Sequence, residues 1–242
     1  SGDGDSLSIG FGQFAHAMRR NVNMLYLVEN NGVYGLTKGQ FSASADIGSK
    51  LKKGEVNMQP PIDPCQAALT LGASFVARSF SGDKDQLVPL LKAGLKHSGF
   101  GMIDIISPCV TFNDHEGSTK SYEYTRQHFH KAIQADFVPP SKEIKAQYAA
   151  GEAMPVELHD GSTIVLRKVD NAYDPTNKAQ AAAYLRDRQA AGEITTGLLY
   201  IDESQREMHD LSGSSAVPMS QIPYDVLNPG SDMLQKIQSR MR

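Results

Sequence analysis

The sequence predicts an α/β protein built on a doubly wound, mainly parallel sheet. Three runs, at residues 22–28, 74–79 and 100–106, read as buried strands, and the first of them is nearly continuously apolar. Segments with helical spacing of apolar residues separate these runs. Because strands that alternate with helices form parallel sheets, this order indicates the fold class.

The helices between these strands have recognisable starts. The first is expected at residues 9–20, and four apolar residues mark its inner face, namely Ile9, Phe14, Ala17 and Met18. Asp63 and Pro64 are typical of a helix start, and Gly72 is typical of its end. Asp83 precedes a third helix, whose inner face is expected to carry Leu87, Leu90, Leu91 and Leu95.

The last ninety residues read differently from the first part. Asp160-Gly161 lies between two short apolar stretches and predicts a hairpin. A helix is expected at residues 174–191, a strand at 197–201 and a short helix from Ser231. We therefore expect a domain at residues 1–150 and, at residues 151–242, a C-terminal extension that packs against another subunit.

Composition excludes several classes of protein. The chain has 242 residues and a formal charge of -3, with no basic run, so nucleic acid is not an expected partner. No apolar run approaches the roughly 20 residues that span a bilayer, so no membrane is expected either. The two cysteines provide no disulfide framework, which favours a cytoplasmic location.

A candidate metal site lies near the start of the chain. Gly2-Asp3-Gly4 is followed by a helix, a buried strand and then Asn30-Asn31. This order places Asp3 and Asn31 at the carboxyl edge of a parallel sheet, where ligands of such sheets bind. Carboxylate and amide oxygens suit Mg²⁺, which commonly keeps phosphate oxygens in its shell. The spacing therefore indicates a diphosphate cofactor held through a divalent cation.

The stretch that contains this site resembles a known family. GDGDSLSIGFGQFAHAMRRNVNMLYLVENNGVYGLTKGQ, at residues 2–40, resembles the thiamine-diphosphate-binding core of the β subunit of 2-oxoacid:ferredoxin oxidoreductases, most closely the 2-oxoglutarate type. SPCVTFND, at residues 107–114, continues the resemblance. It implies a sheet of the thiamine-diphosphate-binding type and oxidative decarboxylation of 2-oxoglutarate or a related 2-oxoacid to an acyl-CoA.

The resemblance also implies roles for individual residues. The carbonyl of Val33 would be a third Mg²⁺ ligand beside Asp3 and Asn31, and the substrate's distal end would lie near Leu36, Thr37 and Lys38. The ammonium of Lys38 suits a second carboxylate, which favours 2-oxoglutarate. Contacts with the cofactor are expected from Gly4, Asp5, Gly35 and Leu36.

Further parts of the enzyme are expected outside this chain. By resemblance, Cys109 is a ligand of a [4Fe-4S] cluster, which needs four thiolates, so the other cysteines are expected upstream of Ser1. An α subunit would supply the glutamate that activates the cofactor, so no catalytic residue is assigned here. Coenzyme A and ferredoxin are the other expected partners, in an αβ or (αβ)₂ assembly.

Three alternatives compete with this interpretation. Residues 10–15 match G-x-G-x-x-A, the dinucleotide fingerprint, with Glu29 about twenty residues on; however, a polar stretch precedes them instead of a strand. A non-oxidative thiamine-diphosphate decarboxylase or synthase would share the metal motif. A non-catalytic homologue with a structural role would share the fold.

Overall fold

The structure, a computed structural model, describes residues 1–35, 37, 39–49, 54–107, 144–157, 163–228 and 230–241. Their strands are β1 Met24–Asn30, β2 Val33–Tyr34, β3 Gln40–Phe41, β4 Phe75–Phe80, β5 Phe100–Ile106, β6 Ala153–Glu157, β7 Thr163–Lys168 and β8 Glu193–Ile201. Their α-helices are α1 Phe11–Arg19, α2 Pro64–Leu71, α3 Lys84–Lys96, α4 Lys178–Ala190, α5 Met208–Ser212, α6 Tyr224–Leu227 and α7 Gly230–Arg240. A π-helical turn, Asp5–Ile9, and a 3₁₀ turn, Met219–Gln221, complete them.

The larger sheet has the strand order β1-β5-β4-β8-β7-β6. Strands β1, β5 and β4 are parallel, as the three runs predicted, and β7 is parallel to β8. Strand β8 is antiparallel to β4, and β6 is antiparallel to β7. Since three of these five pairings are parallel, the mainly parallel α/β fold is confirmed.

The direction of β8 determines what meets at one edge of the sheet. Because β8 runs opposite to β4, the amino ends of β7 and β8 lie at the same edge as the carboxyl ends of β1, β4 and β5. The predicted metal ligand Asn31 directly follows β1 at this edge. Strands from both halves of the chain therefore border the candidate site.

The first helix begins earlier than the sequence predicted. A helical path starts at Asp3, passes through the π-helical turn and continues as α1, whose Phe14 and Met18 are buried. Ile9 is 80% exposed, so its predicted place on the inner face is wrong. The extra residue of the π-helical turn, where the amide of Gly10 donates to the carbonyl of Asp5 at 2.6 Å, changes the helical phase between Ile9 and Phe14.

This path also bears on the dinucleotide alternative. Gly10 follows a helical turn and begins a second helical segment, whereas a dinucleotide fingerprint directly follows a strand. Helices α2 and α3 begin as predicted, since Asp63 accepts from the amide of Gln66 at 2.9 Å and Asp83 accepts from the amide of Gln86 at 3.2 Å.

Two other predictions about helices are wrong. Leu95 is 74% exposed, because the buried face of α3 carries Leu90 and Gly94 instead. Helix α4 begins at Lys178, four residues after the predicted start, because Asn177 is its N-cap and accepts from the amide of Gln180 at 3.0 Å.

The described residues fall into two compact units, Ser1–Met208 and His209–Arg242. The division expected at residue 150 stays a prediction, although strands on both sides of that position share one sheet. Strands β6 and β7 pair antiparallel, as the hairpin signal predicted, while the turn residues Asp160 and Gly161 lie outside the described residues. None of the helices in the ranges given above is long and apolar enough to cross a bilayer.

Candidate functional site

The amino-terminal residues bring Asp3 to the carboxyl edge of the sheet. Gly2 forms a parallel bridge with Glu29 of β1, and the amide of Glu29 donates to the carbonyl of Ser1 at 2.8 Å. The chain then turns into a helix, where the amide of Ser6 donates to the carbonyl of Gly2 at 3.0 Å. Asp3 thus lies in a first helical turn, whose free amide groups favour anions nearby.

The carboxylate of Asp3 is held by three donors. Asp3 is only 1% exposed, and its Oδ2 accepts from the amide of Gly32 at 3.0 Å and from the hydroxyl of Ser44 at 2.5 Å. The hydroxyl of Ser42 is the third donor to the same oxygen. The structure shows no hydrogen bond to Oδ1 from the residues it describes, so this oxygen is the one suited to a cation.

The other two predicted metal ligands flank Gly32. Asn31 Oδ1 accepts from the amide of Val33 at 3.1 Å, which orients the amide group of Asn31. Gly32 has a φ of 76°, in the left-handed region that favours glycine, and its amide reaches Asp3 from this turn. The structure therefore brings Asp3 next to the segment from Asn31 to Val33, and these carboxylate, amide and carbonyl oxygens fit a hard divalent cation.

Gly4 has a packing reason to be glycine. The ring of Tyr34 lies against it, and a Cβ at position 4 would be 2.5 Å from Cε1 of Tyr34. The hydroxyl of Tyr34 also donates to the carbonyl of Gly4 at 3.0 Å. Strand β2 thus holds the first helical turn in place. The side chain of Asp5 is exposed to solvent.

The remaining predicted residues belong to the turn after β2 or lie outside the described part. Gly35 is half-buried in this turn, and Thr37 is exposed and donates through its hydroxyl to Oε1 of Gln40. Three predicted site residues lie outside the described ranges: Leu36, Lys38 and Cys109.

A buried network extends from Asn30 into the sheet. Oδ1 of Asn30 lies 2.9 Å from the hydroxyl of Ser44, and its Nδ2 donates to Asp104 Oδ1 at 3.1 Å. Arg78 joins the network from β4, donating through Nε to Asp104 Oδ2 at 2.6 Å and through Nη2 to Asp63 at 2.8 Å. Since Asp63 is also the N-cap of α2, the network connects the carboxyl edge of β1, β4 and β5 to that helix.

Burial governs the charges in this network. Asp104 is 0% exposed, and burial raises the pKa of its carboxyl, an effect that Arg78 opposes. Burial alone would lower the pKa of Arg78, but nearby Asp63 and the other negative neighbours raise it well above its usual range, so Arg78 stays cationic. Burial also raises the pKa of the Cys65 thiol, and the side chain lies within the core, so Cys65 is not a reactive thiolate.

A cleft of about 750 Å³ opens beside these groups. Asn31 and Val33 line it together with Arg78 and Asp104, and the starts of β7 and β8 complete the lining. Its volume is within the range of about 300–1,000 Å³ that is usual for small-molecule sites. Two of the predicted metal residues, Asn31 and Val33, therefore border a space that is large enough for a cofactor or substrate.

Sequence reasoning missed four residues of this site. Ser42 and Ser44 were not singled out, because short polar residues after a turn are typical of any exposed loop. Arg78 and Asp104 carried a visible signal: each is a charged residue inside an otherwise apolar strand. Such charges are almost never fully buried unless they are paired, so two of them on neighbouring strands predict a pair.

The first part of the chain matches a known family. Residues 1–105 match the family described as "Thiamine pyrophosphate enzyme, C-terminal TPP binding domain". The chain is 46% identical over 114 residues to the 2-oxoacid:ferredoxin oxidoreductase subunit beta of Saccharolobus solfataricus, covering 47% of this chain and 37% of the relative. It is 40% identical over 115 residues to the 2-oxoglutarate oxidoreductase subunit KorB of Mycobacterium tuberculosis, covering 47% of this chain and 31% of the relative.

A solved structure extends the similarity over most of the fold. The 2-oxoglutarate:ferredoxin oxidoreductase from Magnetococcus marinus with 2-oxoglutarate, coenzyme A and succinyl-CoA bound matches with a TM-score of 0.61 and 25% sequence identity. The match covers 90% of this chain and 63% of that chain. The chain spans about a third of the length of the two relatives named above. The predicted resemblance is confirmed: over about half of its length, this chain is similar to the β subunits of 2-oxoacid:ferredoxin oxidoreductases.

Proposed function

We propose that this chain acts as the β subunit of a 2-oxoacid:ferredoxin oxidoreductase, which oxidatively decarboxylates 2-oxoglutarate or a related 2-oxoacid to an acyl-CoA. The observation that carries this proposal is the contact between Asp3 and Gly32, which brings a carboxylate next to Asn31 and Val33 at the edge of a parallel sheet. The match of residues 1–105 to thiamine pyrophosphate enzymes supports thiamine diphosphate as the cofactor.

The chain's own residues would hold the cofactor through Mg²⁺. Asp3 Oδ1, Asn31 Oδ1 and the carbonyl of Val33 are the protein ligands, and the helical turn that begins at Asp3 presents amide groups to the diphosphate. Gly4, Asp5, Gly35 and Leu36 would contact the cofactor. When bound there, thiamine diphosphate supplies the electron sink that allows loss of CO₂.

The substrate preference is proposed from the loop after β2. Thr37 and Lys38 belong to this loop, and the ammonium of Lys38 is a suitable partner for the distal carboxylate of 2-oxoglutarate. Two of the similar proteins carry 2-oxoglutarate in their names. Replacing Lys38 by alanine should therefore lower turnover of 2-oxoglutarate more than turnover of pyruvate.

Electron transfer and assembly require groups beyond those in this chain. Cys109 would supply one thiolate to a [4Fe-4S] cluster, and Cys65 cannot supply another because it is fully buried in α2. An α subunit would complete the active site in an αβ or (αβ)₂ assembly, and ferredoxin would accept the electrons. We place the enzyme in the cytoplasm, as the cysteine content predicts.

The proposal is tested with the complete complex, purified anaerobically. The assay measures reduction of a viologen dye that depends on both coenzyme A and the 2-oxoacid, with 2-oxoglutarate and pyruvate compared. We expect dye reduction, faster with 2-oxoglutarate, and loss of it in Asp3→Ala. Decarboxylation without dye reduction would instead indicate a non-oxidative enzyme, and absence of bound thiamine diphosphate would indicate a structural homologue.

A further inference from the structure

Two serines beside Asp3 have no place in the proposed ligand set. Ser42 is 6% exposed, and Ser44 is half-buried two residues later. The amide of Ser42 donates to the carbonyl of Gly32 at 3.0 Å, and the amide of Ser44 donates to the hydroxyl oxygen of Ser42 at 3.2 Å. The serine segment is thus attached to the same turn that carries Asn31.

The hydrogen-bond inventory of the two hydroxyls determines where their protons go. Each hydroxyl has one proton, yet Ser44 Oγ lies 2.5 Å from Asp3 Oδ2 and 2.9 Å from both Asn30 Oδ1 and Ser42 Oγ. An ionised carboxylate is the strongest of these acceptors. Both hydroxyl protons are therefore directed to Asp3, and Ser42 Oγ still accepts the amide proton of Ser44.

We propose that Ser42 and Ser44 are positioning residues for Asp3, which hold its Oδ2 so that Oδ1 faces the divalent cation. This inference rests on the proposed role of Asp3 as a metal ligand. Without the serine hydroxyls, Oδ2 would keep only the amide of Gly32, and the carboxylate could rotate about its Cβ–Cγ bond. Loss of such an outer contact typically lowers metal affinity about 10–100-fold.

The experiment measures Mg²⁺ affinity directly rather than activity. The complete protein, with any subunits that accompany it, is titrated with Mg²⁺ by calorimetry in the presence of excess thiamine diphosphate. Ser42→Ala and Ser44→Ala remove one hydroxyl each, and Ser44→Thr retains the hydroxyl. Ser8→Ala is the matched control, because Ser8 is an exposed serine of the same amino-terminal segment and is not one of the three donors to Asp3.

We expect each alanine variant to raise the Mg²⁺ dissociation constant at least about tenfold. Ser44→Thr and Ser8→Ala should bind as the parent does, and melting temperatures measured without Mg²⁺ should show that all variants are folded. If Ser44→Ala does not fold, Ser44→Cys, a weaker donor of similar size, takes its place. An unchanged or lower dissociation constant in the folded variants would overturn the inference.

Asp3→Asn separates this inference from the proposed function. If Asp3→Asn loses Mg²⁺ binding while the serine variants keep it, only the role of the serines is wrong. If the parent and Asp3→Asn bind Mg²⁺ and thiamine diphosphate equally, the proposed function itself is wrong, and the inference that rests on it fails as well.

Discussion

Replacing Arg78 by methionine should strongly destabilise the protein. Arg78 is 5% exposed and is the cation that contacts both Asp63 and Asp104, at 2.8 and 2.6 Å. Among the described residues, removing it leaves Asp104, which is 0% exposed, with one hydrogen bond, from Asn30. Breaking a buried ion pair from one side costs about 3–5 kcal/mol, and we expect a loss of this size in the free energy of unfolding.

The pH dependence gives this prediction a second test. In Arg78→Met, the pKa of Asp104 rises further because burial is no longer opposed by the guanidinium. The folded variant then binds a proton that the unfolded chain does not bind, so its stability increases relative to the parent as the pH falls. The difference between Arg78→Met and the parent should therefore be smaller near pH 5.5 than near pH 7.5.

Urea unfolding followed by far-ultraviolet circular dichroism measures both effects. The double variant Arg78→Met with Asp104→Asn is the control, because it removes both charges and should recover much of the loss. A single-variant cost below about 1 kcal/mol, or a cost that grows as the pH falls, would show that the Arg78–Asp104 pair does not have the proposed energetic role.

Three further predictions concern other positions. Gly4→Ala should weaken thiamine diphosphate binding in a fluorescence titration, because the new Cβ would displace the ring of Tyr34. Asn21→Ala should lower the free energy of unfolding by about 1–3 kcal/mol in urea, because the amide of Phe100 loses its acceptor at 2.7 Å and the contacts with Ser74 and Arg206 are lost as well. Asn21 has a φ of 49°, so Asn21→Gly, which avoids backbone strain there, measures the loss of these hydrogen bonds together. Burial lowers the pKa of His97, although the negative charges of Glu203 and Asp202 act in the opposite direction. The unfolded chain therefore binds a proton more readily than the folded protein, and stability should fall as the pH drops below about 6.5. His97→Gln should flatten this pH dependence in thermal melts.

Local signals predicted the parallel part of the fold. Residues 74–79 and 100–106 are predicted as buried strands from local composition, and the structure has β4 at Phe75–Phe80 and β5 at Phe100–Ile106. The starts of α2 and α3 were identified from Asp63 and Asp83, because a cap acts through the next three residues alone. Signals that act over so few residues can be read directly from the sequence.

Long-range contacts were beyond the sequence. Strand β8 pairs antiparallel with β4 across more than a hundred residues, and neither strand's composition specifies its partner or direction. The predicted burial of Ile9 is wrong because a π-helical turn contains one residue more than a regular α-helical turn, which shifts Ile9 away from the buried face. At the candidate site, the spacing of Asp3 and Asn31 predicts that they lie close together, whereas the contacts of Ser42 and Ser44 depend on how the segment after β3 folds back toward Asp3.

Because β8 runs antiparallel to β4, two separate parts of the chain line the cleft at one edge of the sheet. The proposed metal ligands Asn31 and Val33 line the cleft just after the parallel strand β1, whereas Gly192 and Glu193 line it from the turn between α4 and β8. Substitutions or insertions in that turn can change the shape of the cleft while the register of β1, β5 and β4 stays as it is. Related proteins could thus diversify what fits in the cleft and keep one cofactor geometry.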